Sequence, residues 1–238
     1  MINEITRLQN AIDKADKIVF FSGAGMSTAS GIPDFRSATG LYKNTYRAEE
    51  MLSHSFYEYH PEEFYEFYKE KMLFPDAKPN YGHEFIARLQ DKKDVSVVTQ
   101  NIDGLHQAAG SKKVYELHGS VLRNYCTKCH KFFDLDYIIN SDGVPECDEC
   151  GSIIKPDVVL YEEGLDEQVI EGALKAISNA DLLVVCGTSL VVYPAAGFIR
   201  YFNGDTLAII NRDSTSYDSN CDIVIHGDLV ETFRQLSV

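Results

Sequence analysis

The sequence predicts an α/β fold built on a doubly wound parallel sheet. Three observations carry that expectation. Short, almost wholly apolar runs recur along the chain, as strands buried on both faces require. Segments of helical period lie between several of these runs. Polar loops, most of them with glycine, follow several of the runs, at the strand ends where open α/β sheets bind their ligands.

Taken in order, Ile5, Leu8, Ile12 and Ala15 share one face of a first helix. The run 17–21 (KIVFF) is the first strand, and the same signature returns at 95–98, 157–161, 182–186, 206–210 and 222–225, with a weaker candidate at 113–117. Helical patterns occupy 81–90 and 167–179. Two stretches break the alternation. Residues 37–80 hold an aromatic-rich run that reads as short helices, and residues 122–155 hold two cysteine pairs. Both are expected to be insertions that build a smaller domain beside the sheet. The sheet domain is then assembled from 1–36, 81–121 and 156–238.

Composition narrows the class. The chain has 238 residues, 45% hydrophobic and 24% charged, which excludes a wholly disordered chain, a collagen and a coiled coil. Its longest apolar runs, such as 182–186, fall far short of the ~20 residues of a membrane helix. The polar, amphipathic N-terminal stretch is not a signal peptide, so a cytoplasmic address is expected. With 22 Lys plus Arg against 36 Asp plus Glu, the net charge is -14. That charge repels phosphate backbones and argues against direct nucleic-acid binding.

Cys126 and Cys129 form one Cys-x-x-Cys pair and Cys147 and Cys150 another, with seventeen residues between the pairs. Two such knuckles are the spacing of a structural zinc site, and disulfides are the weaker reading in a cytoplasmic chain. Cys186 ends an apolar run and reads as a small buried hydrophobe.

The strand-end loops carry the candidate chemistry. Gly23-Ala24-Gly25 follows the first strand and would let phosphates approach the main chain closely, although the third glycine of the dehydrogenase fingerprint is missing and a tight turn reads the same way. Gly31-Ile32-Pro33-Asp34-Phe35-Arg36 would cover a cofactor, or would be a turn with a structural Asp–Arg pair. Gln100, Asn101 and Asp103 follow the strand at 95–98 and suit a ribose and a carboxamide, or else a helix cap. His118 stands at another strand end, which sets it above the other six histidines as a base. Thr188 and Ser189 offer hydroxyls to a phosphate, and Asn211 a contact to a ribose or base. Together these loops point to one large nucleotide site.

In this order, GAGMSTASGIPDFRS, TQNIDGLH, LHGS, the paired cysteines, KPDVVLYEE, GTSLVVYPAA and the IN of INRD resemble the sirtuins, the NAD-dependent protein deacylases, in their compact bacterial form. The resemblance spans roughly residues 15 to 230. It implies a Rossmann-type domain with a small domain made of a helical module and a zinc ribbon. It implies NAD as a co-substrate, one structural zinc ion and acetylated lysine-containing proteins or peptides as partners. Ala24, Thr28, Phe35 and Arg36 would line the cofactor and its covering loop. Gln100, Asn101, Ile102 and Asp103 would hold the nicotinamide and its ribose, Thr188 and Ser189 phosphate and ribose, and Asn211 and Leu229 the adenosine end. His118 would be the general base. The peptide would lie extended between 158–163 and 187–193, touching Val159, Tyr161 and Val192. There the chain departs from the family's Phe-Gly-Glu, since Tyr161-Glu162-Glu163 puts a glutamate in place of the glycine. ADP-ribosyl transfer would use the same NAD site. A non-catalytic NAD sensor would be expected to lack His118 or the polar cluster.

Overall fold

The computed structural model describes residues 3–34 and 48–238. The first helix, α1 (Glu4–Lys14), starts where the Asn3 side chain accepts the Thr6 N–H, and it buries Leu8 and Ile12. It leads into β1 (Lys17–Ser22). Three further short helices follow, α2 (Ala48–Met51), α3 (His54–Tyr59) and α4 (Pro61–Lys71), then α5 (Tyr81–Leu89), β2 (Asp94–Thr99), α6 (Leu105–Ala108) and β3 (Val114–Glu116). The chain next makes β4 (Gly119–Cys126), β5 (Phe132–Phe133), α7 (Leu135–Asn140) and β6 (Ile154–Val158). It returns through α8 (Glu167–Ser178), β7 (Leu182–Cys186), β8 (Thr206–Asn211), β9 (Ile223–His226) and α9 (Leu229–Arg234).

Six strands form one all-parallel sheet in the order β3-β2-β1-β7-β8-β9. The order reverses between β1 and β7, and ligands of such sheets sit at that switch point. Alternate residues serve opposite faces. Ile18 and Phe20 join Leu8, Ile12, Phe85, Ile86 and Phe233 on one side. Val19 and Phe21 join Ala173, Ile177, Phe198 and Ile199 on the other. Phe20 and Phe21 are both wholly buried, each worth roughly 1.5–3 kcal/mol of apolar burial. Double-sided burial explains why the strands read as unbroken apolar runs.

The run at 157–161 was expected among these strands and is not one of them. Its first two residues end β6, which pairs antiparallel with β4 in a separate three-stranded sheet, β5-β4-β6. Only one face of β6 is buried, that carrying Ile154, Pro156 and Val158. The expected domain boundaries at 121/122 and 155/156 fall inside β4 and β6. A third core, with Phe64, Tyr65, Tyr68, Ile138 and Ile154, binds α3 and α4 to this small sheet. The Tyr65 hydroxyl donates to the Ile154 carbonyl across it. Arg123 of β4 ties the two sheets, reaching Glu116 of β3 and Asp157 of β6 at 2.7 Å each. Among the described residues, no helix is long and apolar enough to cross a membrane.

Candidate active site

A cavity of about 440 Å³ opens at the carboxyl ends of β1, β2, β7 and β8 and runs beneath the helical module. Its walls come from loops that packing forces together. Gly25 N–H donates to the Gly187 carbonyl at 2.8 Å, so the β1 and β7 loops touch through backbone. Gly187 sits at φ 64, and a Cβ there would lie 2.4 Å from the Met26 nitrogen. Only glycine fits that approach.

The β1 loop contributes Ala24 and Thr28 to the cavity, and the β2 loop Gln100, Asn101, Ile102 and Asp103. His118 lines it from the start of β4. Thr188, Ser189 and Val192 follow β7, Asn211 ends β8, Leu229 begins α9, and Val159 and Tyr161 follow β6. Phe35 and Arg36 lie outside the described residues.

Gln100 is the hub of this arrangement. Its N–H donates to Ser22 O at 2.9 Å, and its Oε1 accepts the Thr188 hydroxyl at 3.3 Å. Its carbonyl accepts from His118 Nδ1 at 2.9 Å. A carbonyl can only accept, so Nδ1 carries the proton and the imidazole's lone pair is left on Nε2. Burial lowers the His118 pKa, against the stabilising bond from Gln100, so the ring is neutral at pH 7. Gly119, at φ 74, fixes the turn after it, since a Cβ there would strike the Asp157 carbonyl at 1.9 Å.

A second chain of bonds runs from Asn101 Nδ2 to Ser27 Oγ (3.1 Å) and from Ser27 Oγ to Asp103 Oδ2 (2.6 Å). The other Asp103 oxygen accepts the Leu105 N–H at the start of α6. Gly104, not Asp103, is the N-cap of α6, and the Asp103 carboxylate takes the first helical N–H from one position earlier. Burial raises the Asp103 pKa, opposed by the Ser27 and Leu105 bonds. Ser27 was missed as a site residue because nothing local marks a serine after a glycine turn.

The fit to a dinucleotide rests on this donor set. The cavity meets the β1/β7 switch point with two glycine loops, and the Gln100 Nε2 is buried without a partner among the described residues. A buried amide donor is costly unless a ligand oxygen completes it.

The four paired cysteines form a separate cluster, all sulfurs within 4.8 Å of one another. Cys126–Cys150 lie 3.3 Å apart, and Cys129 lies 3.6 Å from both Cys147 and Cys150. That is too long for disulfides and near the ~3.8 Å edge of a tetrahedron with 2.3 Å zinc–sulfur bonds. The Lys128 and Cys129 N–H groups point at Cys126 Sγ, as thiolate-stabilising donors do. Cys186 is wholly buried, as its apolar surroundings predicted.

Comparison with known proteins agrees with this geometry. The model of the Sir2 family matches residues 23–194. The chain belongs to the Sir2 family. The NAD-dependent protein deacetylase of Clostridium acetobutylicum is 56% identical over 98% of both chains. That of Staphylococcus aureus strain N315 is 48% identical over 99% of both. Among solved Sir2 structures, one with a deacetylated p53 peptide and 3'-O-acetyl ADP ribose superposes with a TM-score of 0.90 at 40% identity, covering 97% of this chain and 96% of that one. Another, with p53 peptide and NAD+, gives 0.86 at 41% identity over the same shares.

Proposed function

We infer that this Sir2 protein is an NAD-dependent protein-lysine deacetylase. It transfers the acetyl group of acetyl-lysine to ADP-ribose and releases nicotinamide, deacetylated lysine and O-acetyl-ADP-ribose. The observation that carries the reading is one cavity holding a neutral, oriented histidine beside a half-buried amide and carboxyl cluster. NAD would supply the ribose carbon that the acyl oxygen attacks as the bond to nicotinamide breaks, and water would finally release the lysine from the acyl carbon. Asn101, Ile102 and Asp103 shape the pocket that takes the nicotinamide end. Thr188 and Ser189 meet phosphate and ribose, with Ala24 and Thr28 on the glycine turn. Asn211 and Leu229 lie at the adenosine end. His118, with its lone pair on Nε2, takes a ribose hydroxyl proton so that the ribose oxygen reaches the acyl carbon.

The acetyl-lysine chain enters between the segment after β6 and the loop after β7. Val159 N–H donates to the His118 carbonyl at 3.0 Å, so the proposed peptide edge runs directly beside the proposed base. Extended peptides are held there by main-chain pairing, with the acyl-lysine filling the tunnel. Cys126, Cys129, Cys147 and Cys150 would hold a zinc ion in a structural role, since four thiolates would leave no position open for water. The test is nicotinamide release with and without an acetylated peptide, with mass spectrometry of the ribose product. Release that needs the acetyl peptide and yields O-acetyl-ADP-ribose supports the reading. Release that instead leaves ADP-ribose on a protein would overturn it.

A further inference from the structure

Tyr161 and Glu162 are the middle residues of a tight turn closed by Glu163 N–H to Leu160 O at 3.1 Å. Glu162, at the third position, has φ 77. Left-handed backbone at that position of a turn favours glycine, and a glutamate there must be held by something else. What holds it is the start of α3. The Glu162 carboxylate accepts the Ser55 N–H at 2.9 Å and the Ser55 hydroxyl at 3.0 Å. Ser55 lies in the first turn of α3, where N–H groups lack helical partners. The neighbouring backbone is pinned to the same place, with Tyr161 N–H on Leu52 O and His54 N–H on Tyr161 O, both at 2.9 Å. The Val159 carbonyl and the Glu162 N–H carry no backbone hydrogen bond to a described residue.

We propose that Glu162 is a positioning residue that clamps the substrate-pairing edge to the helical module. Its side chain takes up the free donors of α3, which holds the turn left-handed and keeps the Val159–Glu162 edge presented to the peptide. This deepens the deacetylase reading and rests on it. The clamp sets how well the peptide docks and does not touch the reacting atoms, so its signature is a change in peptide KM.

The experiment compares wild type, Glu162→Gly, Glu162→Gln and Ser55→Ala in steady-state deacetylation of one acetylated peptide, with thermal melting of each. Glycine accepts the left-handed turn without strain but has no carboxylate. Glu162→Gly is expected to raise the peptide KM five- to tenfold, while kcat and the KM for NAD stay within twofold and melting does not fall. Glutamine keeps one carbonyl acceptor for the Ser55 N–H and should recover part of the peptide KM. Ser55→Ala, which keeps that N–H, should show a smaller rise than Glu162→Gly. A peptide KM within twofold of wild type in Glu162→Gly would overturn the clamp while leaving the deacetylase reading intact. Equal losses of peptide KM, NAD KM and melting temperature would also overturn it, as plain destabilisation. A wild-type chain inactive on acetylated peptides would overturn the deacetylase reading, and the clamp with it.

Discussion

The rings of His83 and His106 meet edge to face, 4.8 Å between centroids, beside the carboxyl ends of β1 and β2. His106 Nε2 lies 3.0 Å from Ser22 Oγ, which donates to Thr99 Oγ1. His83 Nδ1 accepts the Asn80 N–H at the start of α5. Both rings are almost wholly buried. Burial pushes His83 down to about 4, and burial followed by the charge of His83 pushes His106 well below its ordinary value.

This pair makes stability depend on pH. The unfolded chain takes up these protons near pH 6.5, and the folded one resists them, so stability falls as pH drops from about 6.5 toward 4. For His83 alone the loss is about 2 kcal/mol between pH 7.5 and pH 5. His83→Gln keeps an acceptor for the Asn80 N–H and should lose that much of the pH slope. Denaturant unfolding of both proteins at the two pH values measures it. Equal slopes would show that His83 is not the source.

His118→Ala should leave the fold and NAD binding intact and lower turnover by roughly 10²–10⁴, the usual worth of a general base. Because burial holds His118 below its ordinary value, the acid limb of the kcat/KM profile should lie below pH 6.5. The base form is lost as pH falls through that point. Turnover above about a tenth of wild type in the variant would remove His118 from the role.

One zinc per chain is expected on elemental analysis of freshly prepared, active protein. Cys147 is buried in the small lobe's own core beside Cys126 and Ile154. Cys147→Ser should therefore unfold that lobe and lower activity indirectly, with loss of bound zinc and of circular-dichroism signal. Active protein free of zinc would defeat the assignment.

Neutral acyl groups should be preferred over acidic ones. No arginine stands between Arg47 and Arg88 to make a bidentate pair with an acyl carboxylate. Tyr65 and Tyr68 are wholly buried in the module's aromatic core, Tyr68 stacked on Phe64, and neither lines the cavity. Lys71 does line it, beside the apolar Leu52, Met72 and Phe74, but pairs with Glu70 at 2.6 Å. On one peptide, kcat/KM should favour acetyl over succinyl by about tenfold or more, the discrimination that an unpaired buried charge imposes. A ratio favouring succinyl would mean that Lys71 meets the carboxylate.

The features that depend on local chemistry are legible in the chain. Runs such as 17–21 and 182–186 read as strands because both of their faces are buried, and that leaves no polar alternation to interpret. The Cys-x-x-Cys pairs read as a metal cluster because knuckle geometry is set within four residues. The loops after β1, β2 and β7 read as one site because strand ends of a parallel sheet converge. Where a strand finds its partner depends on long-range packing. The run at 157–161 looks parallel from its composition, yet β6 pairs antiparallel with β4, since partner choice is set by contacts far apart in sequence. The same holds for Ser27 on Asp103, for His83 against His106 and for Glu162 on Ser55. Each joins side chains of separate elements, which meet only when the chain packs.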